Sequence, residues 1–227
     1  MPPVWLYRRG EAGRKHAIDT FRRDDVMKLP SRESPRRIHL PEADLLFYEQ
    51  LDLGDGQALL GQLIDDTDWQ QEYITIYGKT HPRPRLVAWH GDPGASYTYS
   101  GVSHDPRPWT VVLARLRDRV QALSGHAFNS VLLNYYRDGR DSMGLHADDE
   151  PELGEYPVIA SLSLGEERTL YFTHRTRREL SNINLPLPAP SQLIRAGGTQ
   201  ANWKHGIRTL SRDCGPRINL TFRRVYA

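Results

Sequence analysis

The sequence predicts an α+β fold, with helices in its first half supporting a β core of sandwich or barrel type in its second. Three patterns carry that expectation. Val112, Leu113, Leu116, Val120 and Leu123 recur at helical spacing. From Asn129 onward, short strand-like runs alternate with turns. In Arg217–Arg223 polar and apolar residues alternate strictly, which is the period of a strand. Taken in order, Glu42–Leu51 reads as a helix, with Leu45, Leu46 and Tyr48 among polar neighbours, and Gly54-Asp55-Gly56 breaks it. Ala58–Ile64 reads as a second helix with the stripe Leu59, Leu60, Leu63 and Ile64. Tyr73–Tyr77 is a β-branched and aromatic run ended by Gly78. A Pro-rich stretch, His81–Arg85, leads to a strand at Leu86–Trp89 and a turn at Gly91–Gly94. Trp109–Leu123 is the clearest helix, with Pro108 suited to its first turn and Gly125 just past its end. The strands that follow are expected at Ser130–Tyr136, Leu145–Asp148, Pro157–Leu164, Thr169–Thr173, Gln192–Ile194 and Arg217–Val225.

The chain has 227 residues, 38% of them apolar and 26% charged, a globular composition long enough to bury a core. No apolar run reaches membrane-spanning length, and the first residues carry no secretory signal pattern, so no membrane role is expected. A single cysteine, Cys214, excludes an intrachain disulfide and fits a reducing compartment, cytoplasmic or, in a eukaryote, nuclear. Residues 1–37 hold ten basic and five acidic residues, so an arm of +5 precedes a remainder of −3 in a chain of net +2. Such an arm suits a polyanion or a solvated tail. Two parts are therefore expected: a basic extension over 1–37 and one domain over 38–227, monomeric.

The first chemical signal is His146-Ala147-Asp148. In a strand, residues i and i+2 share a face, so His146 and Asp148 are placed to hold one ion. A distant histidine would complete a two-His, one-carboxylate set, the donor set of non-haem Fe(II) oxygenases. His205 is the better candidate. His174 is the second, set among cations that oppose a metal. The second signal is Arg217–Arg223. Ile218, Leu220 and Phe222 face a core, while Arg217, Asn219, Thr221 and Arg223 face the other way. Their two guanidinium groups suit a small dicarboxylate, because they bind carboxylates bidentately and stay charged when buried. Asn134 and Tyr136 share a face on another strand and offer an amide and a phenol.

These blocks together resemble the AlkB family of Fe(II)- and 2-oxoglutarate-dependent dioxygenases. The matching text is Asn134–Gly139, Gly144–Glu150, Ile159–Gly165, Trp203-Lys204-His205 and Arg217–Arg223, within a similarity over about residues 70–227. The resemblance implies a double-stranded β-helix, or jelly-roll, over about 129–227. It implies His146, Asp148 and His205 as iron ligands. Asn134, Tyr136, Arg217, Asn219, Thr221 and Arg223 would surround 2-oxoglutarate, with O2 as the other co-substrate. Arg217 would take the distal carboxylate and Arg223 would lie near the chelating end.

The resemblance also speaks to substrate. Ser96–Gly101 is similar to a block that sets an aromatic ring against a flipped base, which implies Tyr99 stacked on the base and Tyr97 at its edge or phosphate. Ile76–Lys79 resembles a hairpin that enters a duplex, with Tyr77 as the wedge; the nucleotide-recognition region spans about 73–105. Asp149 and Glu150 would lie near a positively charged base, and Lys79, Arg83, Arg85 and the arm would meet phosphates. Two departures stand out: Arg208 follows Gly206-Ile207 where proline is the pattern, and Ala147 stands where a larger polar residue is usual. The implied function is oxidative demethylation of 1-methyladenine and 3-methylcytosine in DNA, with release of formaldehyde. The alternatives are the same chemistry on RNA, a protein or a small molecule, or an inactive nucleic-acid-binding module.

Overall fold

The architecture comes from a computed structural model. It describes residues 34–99 and 102–226, without the side chains of 76, 97–99 and 102–104. Residues 1–33, most of the basic arm, lie outside the described residues. Strands are numbered along the chain. One seven-stranded antiparallel sheet runs in the order β1 (Arg36–Ile38), β2 (Asp44–Tyr48), β13 (Ser191–Ala196), β10 (Ile159–Gly165), β15 (Arg217–Arg223), β8 (Ser130–Tyr136), β5 (Leu86–Gly91). A four-stranded sheet runs β12 (Ile183–Leu187), β11 (Arg168–His174), β14 (Trp203–Ile207), β9 (Met143–His146). Two hairpins stand apart from them: β3 (Tyr73–Ile76) with β4 (Lys79–Pro82), and β6 (Tyr97–Tyr99) with β7 (Val102–His104).

Burial shows how the layers are ordered. Leu45, Phe47, Tyr136 and Leu193 of the large sheet pack with Leu170, Phe172, Leu185, Trp203 and Ile207 of the small one, which makes an inter-sheet core. The opposite face of the large sheet buries Leu133, Leu162, Ile218, Leu220 and Phe222 under helices α1 (Gly56–Asp66) and α2 (Val111–Ser124). This is the sandwich expected from the strand pattern, with helices as outer support. Asp55 caps α1 by accepting from the backbone N–H groups of Gln57 and Ala58. Helix α2 starts at Val111 with Thr110 as its cap, so Pro108 precedes the helix instead of sitting in its first turn, and Gly125 ends it in the left-handed conformation, φ 72°.

Several expectations need correction. The segment read as a helix at Glu42–Leu51 is strand β2. Leu45 and Phe47 face the inter-sheet core while Tyr48 joins the helix-side core, so both faces are buried and the run loses its alternation. Arg36 and Arg37, assigned to the basic extension, belong to β1 and pair with Phe47 and Leu46. Strand β9 ends at His146, so Asp148 lies just past it. Strands β12 and β14 were not read from the sequence. A short four-residue helix α3, Thr199–Asn202, leads into β14.

Candidate active site

The three metal-ligand candidates converge. His205 on β14 is the register partner of His146 on β9, so the pairing of two short strands sets the imidazoles side by side, with ring centroids 4.3 Å apart. The strands meet closely because Gly206 has no side chain: a Cβ there would lie 2.8 Å from the Met143 carbonyl oxygen. Asp148 Oδ1 is 3.8 Å from His146 Nε2 and Asp148 Oδ2 is 3.5 Å from His205 Nε2. One donor atom from each residue lies within 4.8 Å of the others, a set that could hold one ion. The His146 Nδ1–H donates to the Gly144 carbonyl at 3.0 Å, which leaves the Nε2 lone pair aimed at the triad. The backbone N–H of Asp148 donates to Gln200 Oε1 at 3.0 Å and fixes the carboxylate just past the strand end.

The protonation states provide donors for a metal. Burial pushes the His146 imidazole below its usual range, against the pull of Asp148. Burial, then the neighbouring Arg195, pushes His205 further down. Both rings are thus neutral donors. Burial alone would raise Asp148, but the guanidinium groups of Arg223 and Arg195 hold it well below the carboxylate range. Two neutral imidazoles and one ionised carboxylate fit Fe(II) by donor type. His174 lies elsewhere, with its Nε2 3.1 Å from Glu42 Oε2 and its Nδ1 accepting from the Thr176 and Arg177 backbone.

The expected dicarboxylate face is formed by register. Arg217 stands opposite Tyr136, and Asn219 opposite Asn134, across β15 and β8. Arg217 Nη2 donates to Ser163 Oγ at 2.9 Å and to Asn219 Oδ1 at 3.1 Å. Asn219 Nδ2 then donates to Thr221 Oγ1 at 2.8 Å. The guanidinium lies 5.1 Å over the Tyr136 ring. Burial lowers the Arg217 pKa to about 10, still cationic at neutral pH. Its Nε and Nη1 have no partner among the described residues, an arrangement that fits a carboxylate. Asn134 accepts from Arg85 Nε at 2.8 Å. The Tyr136 hydroxyl donates to Met143 Sδ at 3.8 Å. Asn134, Tyr136, Arg217, Asn219 and Thr221 line a narrow inner chamber together with His146, Asp148, His205 and Arg195.

An outer chamber of about 350 Å³ adjoins it and shares Met143, His146, Asp148 and Arg223; Gln70, Glu72, Trp89, Asp105 and Arg107 also line it. The residues expected to contact a substrate are scattered by comparison. Tyr77 is fully exposed at the β3–β4 tip. Tyr97 and Tyr99 form β6, but their side chains lie outside the described residues. Asp149 pairs with Arg175 at 2.5 Å and lines a separate outer groove with Gln200 and Asn202. Glu150 begins a single 3-10 turn at Pro151–Leu153 and borders neither chamber. Of the cations expected to meet phosphate, Arg83 and Arg85 are buried: Arg83 pairs with Glu72 at 3.4 Å, and Arg85 with Asn134. Lys79 remains exposed. Among the charged residues of the inner chamber, Arg195 is the one without a sequence expectation. It shares a strand face with Leu193 of the inter-sheet core, and that lone cation two residues from a core leucine was the available signal.

The family model described as the 2OG-Fe(II) oxygenase superfamily matches residues 51–223. The chain is 41% identical over 184 residues to mouse "Alpha-ketoglutarate-dependent dioxygenase alkB homolog 3", covering 78% of this chain and 64% of that protein. It is 37% identical over 183 residues to human "DNA oxidative demethylase ALKBH2", covering 75% and 70% respectively. The chain belongs to the AlkB family of Fe(II)- and 2-oxoglutarate-dependent oxygenases. It spans 64% of the length of the mouse relative, somewhat under two thirds. In fold it is also similar to the solved "structure of OsALKBH1", with a TM-score of 0.57 at 16% identity, over 83% of this chain and 100% of that one. The AlkB set of Fe(II), 2-oxoglutarate and O2 agrees with the donor atoms at His146, Asp148 and His205. Among the described residues no helix is long and apolar enough to cross a membrane.

Proposed function

We propose that this chain is an oxidative demethylase of N-alkylated bases, 1-methyladenine and 3-methylcytosine, in DNA, and that it acts as a monomer. The observation that carries this reading is the junction of two chambers at one triad. The inner one is lined by Arg217, Asn219 and Thr221, the outer one is large enough for a single base, and both open on His146 and Asp148. The printed names of the mouse and human relatives support the reaction class.

Iron bound at the triad, with 2-oxoglutarate and O2, supplies the oxidising power that an inert N-methyl C–H bond needs. The chain's own residues supply position and charge. Arg217, held by Ser163 and stacked on Tyr136, anchors the far carboxylate of 2-oxoglutarate. The Arg217–Asn219–Thr221 series fixes that face. Arg223 donates to Asp148 Oδ1 at 2.6 Å and keeps the carboxylate ionised and oriented. A base in the outer chamber presents its methyl group toward His146, with Glu72, Asp105, Arg85 and Arg107 on the wall to meet its polar edges. Methylation on the pairing edge also lowers the cost of extruding that base. Tyr77 serves as the wedge that replaces it in the stack, and Tyr97 and Tyr99 meet the base.

The test is formaldehyde release and base restoration on oligonucleotides carrying 1-methyladenine or 3-methylcytosine, single- and double-stranded, DNA and RNA. Oxygen-dependent repair of a methylated DNA is the expected result. Succinate formation stimulated only by a protein or a small molecule contradicts the reading.

A further inference from the structure

Arg195 is a third guanidinium in the inner chamber and has no part in the scheme above. It projects from β13 and is 2% exposed. Its Nη1 lies 2.9 Å from Asp148 Oδ2 and also contacts His205 Nε2, while Nη2 donates to Ser161 Oγ at 3.1 Å. Asp148 Oδ2 and His205 Nε2 are two of the atoms available to the metal. The Arg195 guanidinium is ion-paired with the first and in contact with the second, so an ion bonded to both must displace that cation.

Two further observations point the same way. Arg195 and Arg223 both contact one carboxylate, Asp148, and Arg217 lines the same chamber, so its lining carries three cations against one anion. An arriving dication meets that surplus at short range, where charges couple strongly. The chamber also measures only about 30 Å³, room for little more than water and too little for a five-carbon dianion. The Arg195 side chain is part of what fills it.

We infer that Arg195 is a displaceable positioning residue that closes the triad until metal and dianion arrive together, so that each strengthens the binding of the other. Metal entry breaks the Arg195 contacts to Asp148 and His205. A dicarboxylate then receives the released guanidinium and offsets the charge surplus. By linkage the same coupling tightens the dianion when metal is present. The inference rests on the Fe(II) and 2-oxoglutarate site described above and adds to it an order of assembly.

The test is equilibrium titration with Mn(II), which needs no turnover, with and without 2-oxoglutarate or glutarate. Glutarate is a dianion without the chelating keto group. The unaltered chain, Arg195→Met, Arg195→Gln and His146→Ala are compared, each after its melting temperature shows that it is folded. Two substitutions of different polarity keep the test usable if one fails to fold. In the unaltered chain, glutarate tightens Mn(II) binding. With Arg195 replaced, Mn(II) alone binds about tenfold more tightly, and the help from either dianion shrinks by a similar factor. A merely structural guanidinium would leave folded variants with the parental Mn(II) affinity or a weaker one. That result, together with lost binding in His146→Ala, overturns the Arg195 inference alone. Unchanged Mn(II) affinity in His146→Ala overturns the metal assignment and this inference with it.

Discussion

The inter-sheet cavity and the β3–β4 hairpin use similar residue types in opposite ways. In the cavity, Tyr136, Arg217 and Arg223 are nearly inaccessible and each is held by a neighbour: Tyr136 and Arg217 against each other, Arg223 against Asp148. In the hairpin, Tyr73 and Tyr77 are 62% and 101% exposed. Tyr77 adopts φ 48° beside Gly78 at φ 77°, so an aromatic residue takes the first place of a two-residue turn with positive φ at both positions. That conformation is rare for a residue with a bulky side chain. The cavity therefore fixes atoms for chemistry, while the hairpin presents a ring to whatever approaches. The difference separates positioning from recognition and can be probed by substitution.

The largest effect is expected at the triad. Asp148→Ala or His146→Ala removes one ligand and should reduce 2-oxoglutarate turnover to background, with affinity for a methylated oligonucleotide largely kept. Succinate formation beside a binding titration checks both halves. Next comes Arg217→Ala. It leaves a dianion without its buried partner, a loss of about 2–5 kcal/mol. The KM for 2-oxoglutarate should rise by roughly 30-fold or more while the Mn(II) affinity holds.

How much of this was legible depended on which faces of each strand are buried. Arg217–Arg223 was read correctly because one face meets the helix-side core and the other a polar chamber, so the alternation survives in the sequence. The His146-x-Asp148 pair is legible in the sequence, but strand alternation alone does not account for it, because β9 ends at His146. Asp148 is aimed by its hydrogen bond to Gln200 and by two arginines rather than by a continuing strand. Strand β2 was misread because its neighbours bury it on both sides. Strand β14 was missed because Trp203–Ile207 is short and gains its strand character from pairing with β11 and β9. Arg85 read as a surface phosphate contact, yet it is buried against Asn134; no local pattern separates a solvated arginine from one that fills a chamber wall. Asp149 and Arg175 pair across 26 residues, a contact that only the tertiary fold creates.

A smaller effect should follow pH. In the unfolded chain His146 and His205 take up protons near their ordinary 6.5; in the folded chain, burial delays that uptake to lower pH. The unfolded state then binds more protons, so stability rises with pH and is lost on acidification below about 6.5. Asp148, depressed from 3.8, adds a loss of the same sign at still lower pH. The melting temperature should therefore fall from about pH 7 to pH 5, by about 2–4 °C for each kcal/mol lost. A profile flat over that range contradicts the burial of neutral imidazoles.

The smallest effect is expected at the hairpin. Tyr77→Asn keeps a residue that tolerates positive φ, so the melting temperature should not move. The KM for methylated duplex should rise about fivefold, the low end for loss of one stacking contact, with little change for a single strand. Equal losses on both substrates would mean that Tyr77 does not act as a wedge.

An experimental structure with Mn(II) and 2-oxoglutarate, solved under exclusion of oxygen, shows whether His146, Asp148 and His205 hold the metal while Arg217 anchors 2-oxoglutarate. The ion should bond to those three side chains, with the far carboxylate of 2-oxoglutarate on Arg217. An ion held by other residues, or 2-oxoglutarate bound away from Arg217, would contradict it.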